Sequence, residues 1–314
     1  MLAYVLTEPG PAEALKLSEI PIPQISGSDV LIEVKAISIN PVDVKTRNGK
    51  ARYNALKDKK PLVLGWDVSG LVVQTGPDAT FSVGDEVFGM VNFPETGSAY
   101  AEYVAAPSEH LSLKPANISH TEAAAACLAA LTAWQAFTEH GNLQAGQAVL
   151  IHAGAGGVGH FAIQLAKSLG AYVIATSSAE NREFVLSLGA DEHIDYHALK
   201  FEDTVKNMDL VFDAVGGETA FRSFPVLKKD GLLISIPSGT TPGLAEAAEK
   251  AGVRNKAMMV HTSAADMAET AKRLEDGRLK VTLGAVFGFK DLHSAHRQVE
   301  SGHTRGKTVV VTGE

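Results

Sequence analysis

Residues 148–167 read Ala148-Val-Leu-Ile-His-Ala-Gly154-Ala155-Gly156-Gly157-Val158-Gly159-His-Phe-Ala-Ile-Gln-Leu-Ala-Lys167. The apolar run 149–151 predicts a buried strand, and the spacing of the apolar residues after Gly159 predicts an amphipathic helix that ends at Gly170. A second apolar run, 172–176, follows at the distance typical of a strand–helix–strand unit. This stretch therefore predicts the start of a doubly wound parallel sheet.

The glycine turn inside this stretch is typical of dinucleotide-binding sites. Gly154 and Gly156 permit a tight turn and a close approach of the backbone to a pyrophosphate, and Gly159 lets the helix pack against the strand. The N-terminus of the helix then faces the anion. A tight turn without a ligand is the alternative, and the flanking strand and helix argue against it. We predict cofactor contacts from the whole turn, that is from Gly154, Ala155, Gly156, Gly157, Val158 and Gly159.

The end of the second strand predicts which dinucleotide is bound. NAD-binding proteins place a carboxylate there, about 20 residues after the first glycine, to bind the ribose 2'-hydroxyl. This chain has Thr176, Ser177 and Ser178, followed by Arg182, and these hydroxyls and the guanidinium suit a 2'-phosphate. The pattern favours NADPH over NADH. In the alternative interpretation Ser178 only caps a helix over 179–188, and Arg182 lies on a solvated face.

Length, composition and charge exclude several classes of protein. The chain has 314 residues, 45% hydrophobic and 20% charged, which is typical of a globular protein with two domains. A net charge of -8 argues against a nucleic-acid partner. No apolar run approaches about 18 residues and the N-terminus lacks a basic signal-peptide start, so we expect a cytoplasmic location and no membrane partner. The single cysteine, Cys127, excludes a zinc site of several thiolates.

The order of predicted elements divides the chain into two domains. Short apolar runs separated by glycines and prolines predict a β-rich first domain. Ser119 and Glu122 match a capping box that opens a long helix, after which helices and strands alternate. We predict a discontinuous β-rich domain, 1–119 with 278–314, and an inserted nucleotide-binding domain, 120–277. The fold class is therefore α/β, with a β-rich domain beside a doubly wound parallel sheet.

The predicted elements are as follows. The strands of the β-rich domain are expected at 30–37, 68–74, 85–91, 99–104, 281–289 and 307–311, with a helix at 292–300. Besides the elements already described, the second domain is expected to contain strands at 193–196, 209–215, 231–236 and 257–260 and helices at 218–227 and 264–276.

Motifs along nearly the whole chain resemble those of one protein family. They are Ser38-Ile-Asn-Pro-Val-Asp43, Gly65-Trp-Asp-Val-Ser-Gly70, Val83-Gly-Asp-Glu-Val-Phe-Gly89, Gly97-Ser-Ala-Tyr-Ala-Glu-Tyr103, Leu131-Thr-Ala-Trp-Gln135, the glycine turn, Asp213-Ala-Val-Gly-Gly217 and the segment 302–307. In this order they resemble the zinc-free quinone oxidoreductase branch, the zeta-crystallin-like branch, of the medium-chain dehydrogenase/reductase superfamily. The resemblance implies a GroES-like catalytic domain and a Rossmann domain that binds NADP(H).

The positions of the zinc ligands in the zinc-dependent relatives carry other residues here. The resemblance places Asn40 where those enzymes have a cysteine, and Trp66 and Asp67 where they have a His-Glu pair. Thiolate and imidazole are both missing, so we expect no catalytic zinc. Without a Lewis acid, reduction of a conjugated acceptor is easier than alcohol–ketone interconversion, because the resulting anion is delocalised.

The resemblance also implies catalytic positions. Asn40 matches an asparagine beside the nicotinamide and the substrate carbonyl, although Asn40 followed by Pro41 is also typical of a turn. Lys45 stands near a family tyrosine and is either a clamp, a proton donor or a solvated side chain. Tyr53 resembles a second family tyrosine, with surface packing as the alternative. Trp66 stacks on a flat quinone or packs in the core.

Further cofactor contacts are implied by the resemblance. Tyr196 matches a tyrosine near the adenosine 2'-phosphate, and Lys307 matches a contact from the returning C-terminal segment. Thr132 matches a threonine that reaches the cofactor, although a helix-interior threonine is often bonded to its own backbone. The contacts implied in this way are Thr132, Tyr196, Val215, Ser238, Gly239 and Lys307.

These observations lead to one predicted function and two alternatives. We predict an NADPH-dependent, metal-independent reductase of small-molecule quinones or α,β-unsaturated carbonyl compounds, and the resemblance suggests a homodimer through the edge of the Rossmann sheet. An enoyl-thioester reductase is the first alternative, with Lys45, Arg47, Lys50 and Arg52 as a basic rim. A non-catalytic NADPH-binding sensor or structural protein is the second.

Overall fold

The computed structural model describes residues 1–236 and 241–313 and divides the chain into two compact units. Unit 1 contains Met1–Leu131 and His261–Glu314, and unit 2 contains Thr132–Val260. Over the described residues, no helix combines the length and the apolar character needed to cross a bilayer.

Fifteen strands and eleven α-helices are numbered in chain order over the described residues. The strands are β1 (Leu2–Leu6), β2 (Leu15–Glu19), β3 (Asp29–Ile39), β4 (Asp67–Thr75), β5 (Glu86–Met90), β6 (Tyr103–Pro107), β7 (Leu111–Leu113), β8 (Ala148–Ile151), β9 (Tyr172–Ser177), β10 (Glu192–Asp195), β11 (Met208–Asp213), β12 (Leu227–Ser235), β13 (Arg254–Ala257), β14 (Leu283–Gly288) and β15 (Lys307–Val311). The helices are α1 (Pro41–Arg47), α2 (Tyr53–Leu56), α3 (His120–Ala125), α4 (Cys127–Gln135), α5 (Gly159–Ser168), α6 (Arg182–Ser187), α7 (Phe201–Thr204), α8 (Glu218–Arg222), α9 (Leu244–Ala251), α10 (Ala264–Glu275) and α11 (Leu292–Glu300).

Unit 1 is built on a seven-stranded sheet in the order β14-β15-β3-β4-β5-β7, with β6 also paired to β3. Strands β1 and β2 form a separate antiparallel pair. The C-terminal strand β15 pairs antiparallel with β3, with Thr308 opposite Ile39, and β3 pairs antiparallel with β4, with Ser38 opposite Asp67. The two pairings bring Lys307, Asn40 and Asp67 to neighbouring positions at one end of three strands.

Helix α3 packs against this sheet through small side chains. Ala124 and Ala125 form a buried cluster with Ala36 of β3 and Val309 of β15, and the absence of larger side chains allows the close approach. The predicted capping box is present, because Ser119 Oγ accepts from the Glu122 N–H and Glu122 accepts from the Ser119 N–H. Helices α3 and α10 both belong to unit 1, whereas the sequence grouped both with the nucleotide-binding domain.

Unit 2 contains a six-stranded sheet in the order β10-β9-β8-β11-β12-β13, and every pair in it is parallel. Numbered from β8, this is the order 3-2-1-4-5-6 of a Rossmann sheet. Leu150, Ile174, Val211 and Leu233, from four adjacent strands, form one face of its core. The predicted fold class is confirmed: an α/β chain with a GroES-like unit and a Rossmann-type parallel sheet.

Several elements differ from their predicted bounds or were missed. The strand predicted at 99–104 is observed as β6 at Tyr103–Pro107, after a turn in which Ser98 has φ of 58°. The strand predicted at 257–260 is β13 at Arg254–Ala257, whose polar residues are tolerated because it is an edge strand. The single long helix predicted from Ser119 is divided into α3, α4 and a π-helical turn, and α9 was not predicted.

Candidate functional site

The glycine turn of unit 2 is shaped by close backbone contacts. Ala153, with φ of 55°, adopts the left-handed conformation, and the N–H groups of Gly154 and Gly156 donate to the carbonyl oxygens of Thr176 (2.8 Å) and Ala153 (2.9 Å). A Cβ atom on Gly159 would lie 2.1 Å from the Ala153 carbonyl oxygen. Glycine is therefore required at position 159, where α5 begins against the turn.

The top of this turn presents backbone donors. Within residues 1–236 and 241–313, no acceptor is bonded to the N–H of Gly157 or Val158. Both residues are partly exposed, and Ala155 beside them is 7% exposed. Helix α5 begins immediately afterwards, so its positive N-terminal end faces the same region. The turn therefore fits the pyrophosphate of a dinucleotide, as its sequence predicts.

Thr176, at the end of β9, is directed into the protein. His152 accepts from the Thr176 hydroxyl at Nδ1 (3.1 Å) and donates from Nε2 to Ser223 Oγ (3.1 Å), because the Ser223 hydroxyl itself donates to the Thr219 carbonyl. Burial lowers the pKa of His152 to about 4, so its ring is neutral. The Thr176 hydroxyl hydrogen is therefore used inside the core of unit 2.

Ser177, Ser178, Arg182 and Tyr196 cluster around the ends of β9 and β10. Ser177 Oγ lies 2.7 Å from Nε2 of His193, a residue that was not predicted, and the Tyr196 N–H donates to the Ser177 carbonyl. Arg182 is exposed at the start of α6, and Tyr196 is 53% exposed. Strand β9 ends without a carboxylate. Ser178 precedes a short 3₁₀ turn, and its Oγ accepts from Asn181 Nδ2 (2.9 Å) and makes no capping hydrogen bond with a backbone N–H.

The other residues of unit 2 that were predicted to contact the cofactor differ in exposure. Val215 is 52% exposed, and its N–H donates to Asp213 Oδ1 (2.9 Å), a buried carboxylate that fixes the start of the loop after β11. Thr132 is buried in α4. Ser238 and Gly239 lie outside the described residues.

Asn40, Asp67 and Lys307 form a buried cluster in unit 1. Asn40 Nδ2 donates to Asp67 Oδ2 (2.7 Å), and Lys307 Nζ donates to Asn40 Oδ1 and lies 3.8 Å from Asp67 Oδ2. Asp67 Oδ1 accepts from the Leu128 N–H (2.9 Å). The orientation of the Asn40 amide follows from the chemistry, because an ammonium group only donates. Burial lowers the pKa of Lys307 and raises that of Asp67, while their mutual attraction opposes both shifts.

Asp43 lies directly beside this cluster. Its Oδ2 accepts from the Asn40 backbone N–H (2.7 Å), and Asn40 is the N-cap of α1, which begins at Pro41. Burial, together with the negative charge of Asp67, raises the pKa of Asp43 to about 7. Asn40 is therefore held through its backbone and both polar atoms of its side chain.

The other predicted catalytic residues occupy different environments. Trp66 is fully buried, donates from Nε1 to the Glu95 carbonyl (2.6 Å) and meets the Phe93 ring edge to face at 5.3 Å. These contacts agree with core packing, and neither face of the Trp66 indole is exposed to solvent. Lys45 is exposed on α1, and Tyr53 is half-buried at the start of α2.

Arg47, which was considered part of a basic rim, has a structural position. Its side chain is fully buried, donates to the Gly10 carbonyl (3.0 Å) and to both carboxylate oxygens of Glu300 (3.0 Å each), and lies 3.3 Å from His296 Nδ1. The guanidinium thereby ties α1 to α11 and to the segment before β2. It is not available to a thioester carrier, so that part of the predicted rim was wrong.

Comparisons with known proteins agree with this geometry. Residues 26–116 match the alcohol dehydrogenase GroES-like domain, and residues 188–310 match the family described as zinc-binding dehydrogenase. A tomato 2-methylene-furan-3-one reductase (Solanum lycopersicum) is 36% identical over 99% of this chain and 79% of its own length. The chloroplastic NADPH-dependent alkenal/one oxidoreductase of Arabidopsis thaliana has the same identity and coverage. The chain belongs to the quinone oxidoreductase branch of the medium-chain dehydrogenase/reductase superfamily.

Solved structures of quinone oxidoreductases have the same fold. The enzyme from Coxiella burnetii superposes with a TM-score of 0.94 at 37% identity, covering 99% of both chains. The Escherichia coli quinone oxidoreductase, solved with NADPH, has a TM-score of 0.88 at 26% identity and covers 99% of this chain and 100% of its own. The predicted membership of the superfamily is thus confirmed.

The side chains at the superfamily's zinc positions do not fit a catalytic zinc ion. A catalytic site needs three protein ligands, usually thiolate, imidazole or carboxylate. Of Asn40, Trp66 and Asp67, only Asp67 is such a ligand, and both of its oxygens are already bonded. The Lys307 ammonium lies beside the same carboxylate as a fixed cation. The name of the matching family mentions zinc, but this ligand set would not hold it.

Proposed function

We propose that this protein is an NADPH-dependent, metal-independent reductase of quinones or α,β-unsaturated carbonyl compounds. The observation that carries the proposal is the contact of the Lys307 ammonium with Asn40 and Asp67, in the region where zinc-dependent relatives bind their metal. The names of the two plant relatives, a furanone reductase and an alkenal/one oxidoreductase, support the same class of substrate.

The absence of a zinc ligand set favours conjugated acceptors. NADPH, when bound, supplies a hydride from C4 of its nicotinamide. Reduction of a simple ketone needs a strong electrophile at the carbonyl oxygen, because the product anion is a localised alkoxide. Addition to the β-carbon of an enone, or to a quinone, gives a delocalised anion that hydrogen bonds and a proton donor stabilise.

Asn40 is proposed to act through its remaining amide hydrogen. One hydrogen of Nδ2 is directed to Asp67 and Oδ1 is occupied by Lys307, so the second Nδ2 hydrogen is the group left for a ligand. Asn40 would therefore act only as a donor, to the nicotinamide carboxamide or to the developing enolate oxygen. Lys45 and Tyr53 are proposed as the candidate proton donors, and Trp66 as support behind Phe93.

NADPH is proposed to bind along the C-terminal ends of β8 and β9. The N–H groups of the glycine turn and the N-terminus of α5 would bind the pyrophosphate, and Ser177, Ser178, Arg182 and Tyr196 would surround the 2'-phosphate. The remaining contacts proposed from the resemblance are Thr132, Val215, Ser238, Gly239 and Lys307.

A cytoplasmic location and a homodimer are also proposed. The location rests on the sequence alone, and the named relatives include chloroplastic and mitochondrial proteins. For the dimer, β13 is an edge strand of the Rossmann sheet, and the nearby Met259 is 58% exposed. Among the described residues no strand pairs with the outer side of β13, and such an edge beside an exposed apolar residue suits pairing with a second copy. Sedimentation equilibrium tests this, and a monomer at micromolar concentration would contradict it.

Turnover with defined acceptors tests the function. We expect protein that contains no bound metal to oxidise NADPH with a simple quinone and with an alkyl vinyl ketone. Adding a chelator should leave both rates unchanged. Faster turnover of a crotonyl thioester than of either acceptor would favour the enoyl-thioester alternative. Tight NADPH binding without turnover of any acceptor would favour the sensor alternative and contradict the proposal.

A further inference from the structure

His193 and Ser177 form a short contact between two parallel strands of unit 2. Strands β9 and β10 are in register, with Asp195 opposite Ser177 and His193 opposite Ala175, so the side chains of Ser177 and His193 lie on the same face. The distance from His193 Nε2 to Ser177 Oγ is 2.7 Å, and Ser177 is 3% exposed. The same hydroxyl lies 3.2 Å from the Ser178 carbonyl oxygen.

A serine hydroxyl has one hydrogen to donate. Whether Nε2 of His193 carries a hydrogen therefore decides which acceptor receives the Ser177 hydrogen. When Nε2 carries no hydrogen, it accepts from Ser177, and the hydroxyl has nothing left to donate to another group. When Nε2 carries a hydrogen, it donates to Ser177 Oγ, and the serine hydrogen is released for a different acceptor. A protonated His193 enforces the second arrangement.

We propose that His193 is a positioning residue that controls whether Ser177 donates to the 2'-phosphate of NADPH, and thereby makes the preference for NADPH over NADH depend on pH. This inference rests on the proposed 2'-phosphate site at the end of β9. It adds a residue that no motif in the sequence marks.

The charged groups around His193 define the direction of the pH effect. Burial and the Arg182 guanidinium at the start of α6 lower the pKa of His193, whereas Asp195 on its own strand and the Ser177 backbone raise it. Strand β9, which is the neighbour of β10 in the sheet, contributes no ionised side chain to this region. A bound phosphate dianion raises the pKa of His193 again. NADPH binding therefore takes up a proton, and its affinity falls as the pH rises between the pKa values of the free and bound forms.

The phosphate itself titrates in the opposite sense. Its second pKa is about 6, so a rising pH produces the dianion and strengthens binding to a site whose charge is constant. The effect of His193 is thus isolated by a variant that keeps the donor and removes the titration. His193→Gln does this, because a glutamine amide does not titrate and keeps an N–H donor available to Ser177 Oγ at every pH.

The test is the dissociation constant for NADPH and for NADH, measured between pH 5.5 and 8.5. We expect the NADPH preference of wild-type protein and of His193→Gln to diverge by about tenfold across this range, with the wild type losing preference relative to the variant as the pH rises. His303→Gln, which changes an exposed histidine of unit 1, is the control and should follow the wild type. Unchanged NADH binding in His193→Gln shows that the variant is folded.

Two outcomes would contradict the role of His193, and a third would contradict the proposed 2'-phosphate site on which that role depends. Superimposable pH profiles for wild type and His193→Gln would show that His193 has no such role. A Ser177→Ala variant that keeps the wild-type pH profile would show that His193 does not act through Ser177. If Ser177→Ala and Arg182→Ala both retained full NADPH preference, the 2'-phosphate would bind elsewhere, and the proposed cofactor site would fail instead.

Discussion

The Nζ atom of Lys307 lies 3.8 Å from Oδ2 of Asp67, with both side chains buried and the Asn40 amide bonded to each of them. The three residues lie at the ends of β15, β3 and β4, so the contact joins the C-terminal segment to two strands from the first part of the chain. A buried pair of this kind adds little net stability, but the loss of one partner leaves an uncompensated charge.

Lys307→Met should therefore destabilise the protein strongly. We expect a loss of about 3–5 kcal/mol in the free energy of unfolding, measured by urea denaturation. Adding Asp67→Asn should recover part of this loss, because the unpaired carboxylate is removed. Lys16→Met, at an exposed lysine of β2, should change stability by less than about 0.5 kcal/mol. Equal effects of the two lysine variants would contradict a buried ion pair.

Gly159→Ala and Gly156→Ala form a matched pair within the glycine turn. A Cβ at position 159 meets the Ala153 carbonyl oxygen at 2.1 Å, whereas a Cβ at position 156 is 3.2 Å from the same atom. We expect Gly159→Ala to cost about 2–3 kcal/mol of stability and Gly156→Ala less than about 1 kcal/mol without cofactor. NADPH titration should show weaker binding for both. Wild-type stability of Gly159→Ala would refute the described turn.

The raised pKa of Asp43 should make the free energy of unfolding depend on pH. Its pKa is raised to about 7 in the folded protein, so the folded state holds a proton that the unfolded chain has released, and stability falls as the pH rises from about 4 to 7. Asp43→Asn should match the wild type near pH 4 and exceed it by about 2–4 kcal/mol at pH 8. Urea denaturation at both pH values measures this. Asp58→Asn, at an exposed position, should show no such divergence; a destabilised Asp43→Asn at pH 8 would count against the assignment.

Arg182 is expected to select NADPH by charge. Arg182→Ala should raise the KM for NADPH by about 10–100-fold and leave the KM for NADH unchanged, because only NADPH carries the 2'-phosphate. The matched variant is Arg254→Ala, another exposed arginine of unit 2, whose Nε donates to the Asp230 carbonyl. It should leave both constants unchanged. Parallel losses for NADH and NADPH in Arg182→Ala would indicate a role in folding.

The sequence predicted those parts of the fold that local pattern determines. The glycine turn and α5 follow from apolar spacing and from a steric requirement at Gly159. Strand β13 was displaced because an edge strand with polar residues carries no apolar pattern. The placement of α3 in unit 1 was not predicted, because Ala124 and Ala125 pack against strands that are distant in the chain.

The sequence predicted many residues of the candidate site but not the contacts between them. Asn40 and Lys307 were both singled out, but nothing local indicates that residues 267 positions apart bond to one another, which pairing of β15 with β3 makes possible. The Arg47–Glu300 pair and the His193–Ser177 contact were missed for the same reason. Each joins residues that meet only after the strands and helices have assembled.

The position of transferred deuterium distinguishes conjugate reduction from reduction of the carbonyl group. NADPH carrying deuterium at C4 of the nicotinamide would be incubated with an α,β-unsaturated ketone in the presence of chelator, and the product examined by NMR. We expect a saturated ketone with deuterium on the carbon β to the carbonyl. An allylic alcohol with deuterium on the carbonyl carbon, or a reaction abolished by the chelator, would contradict metal-independent conjugate reduction.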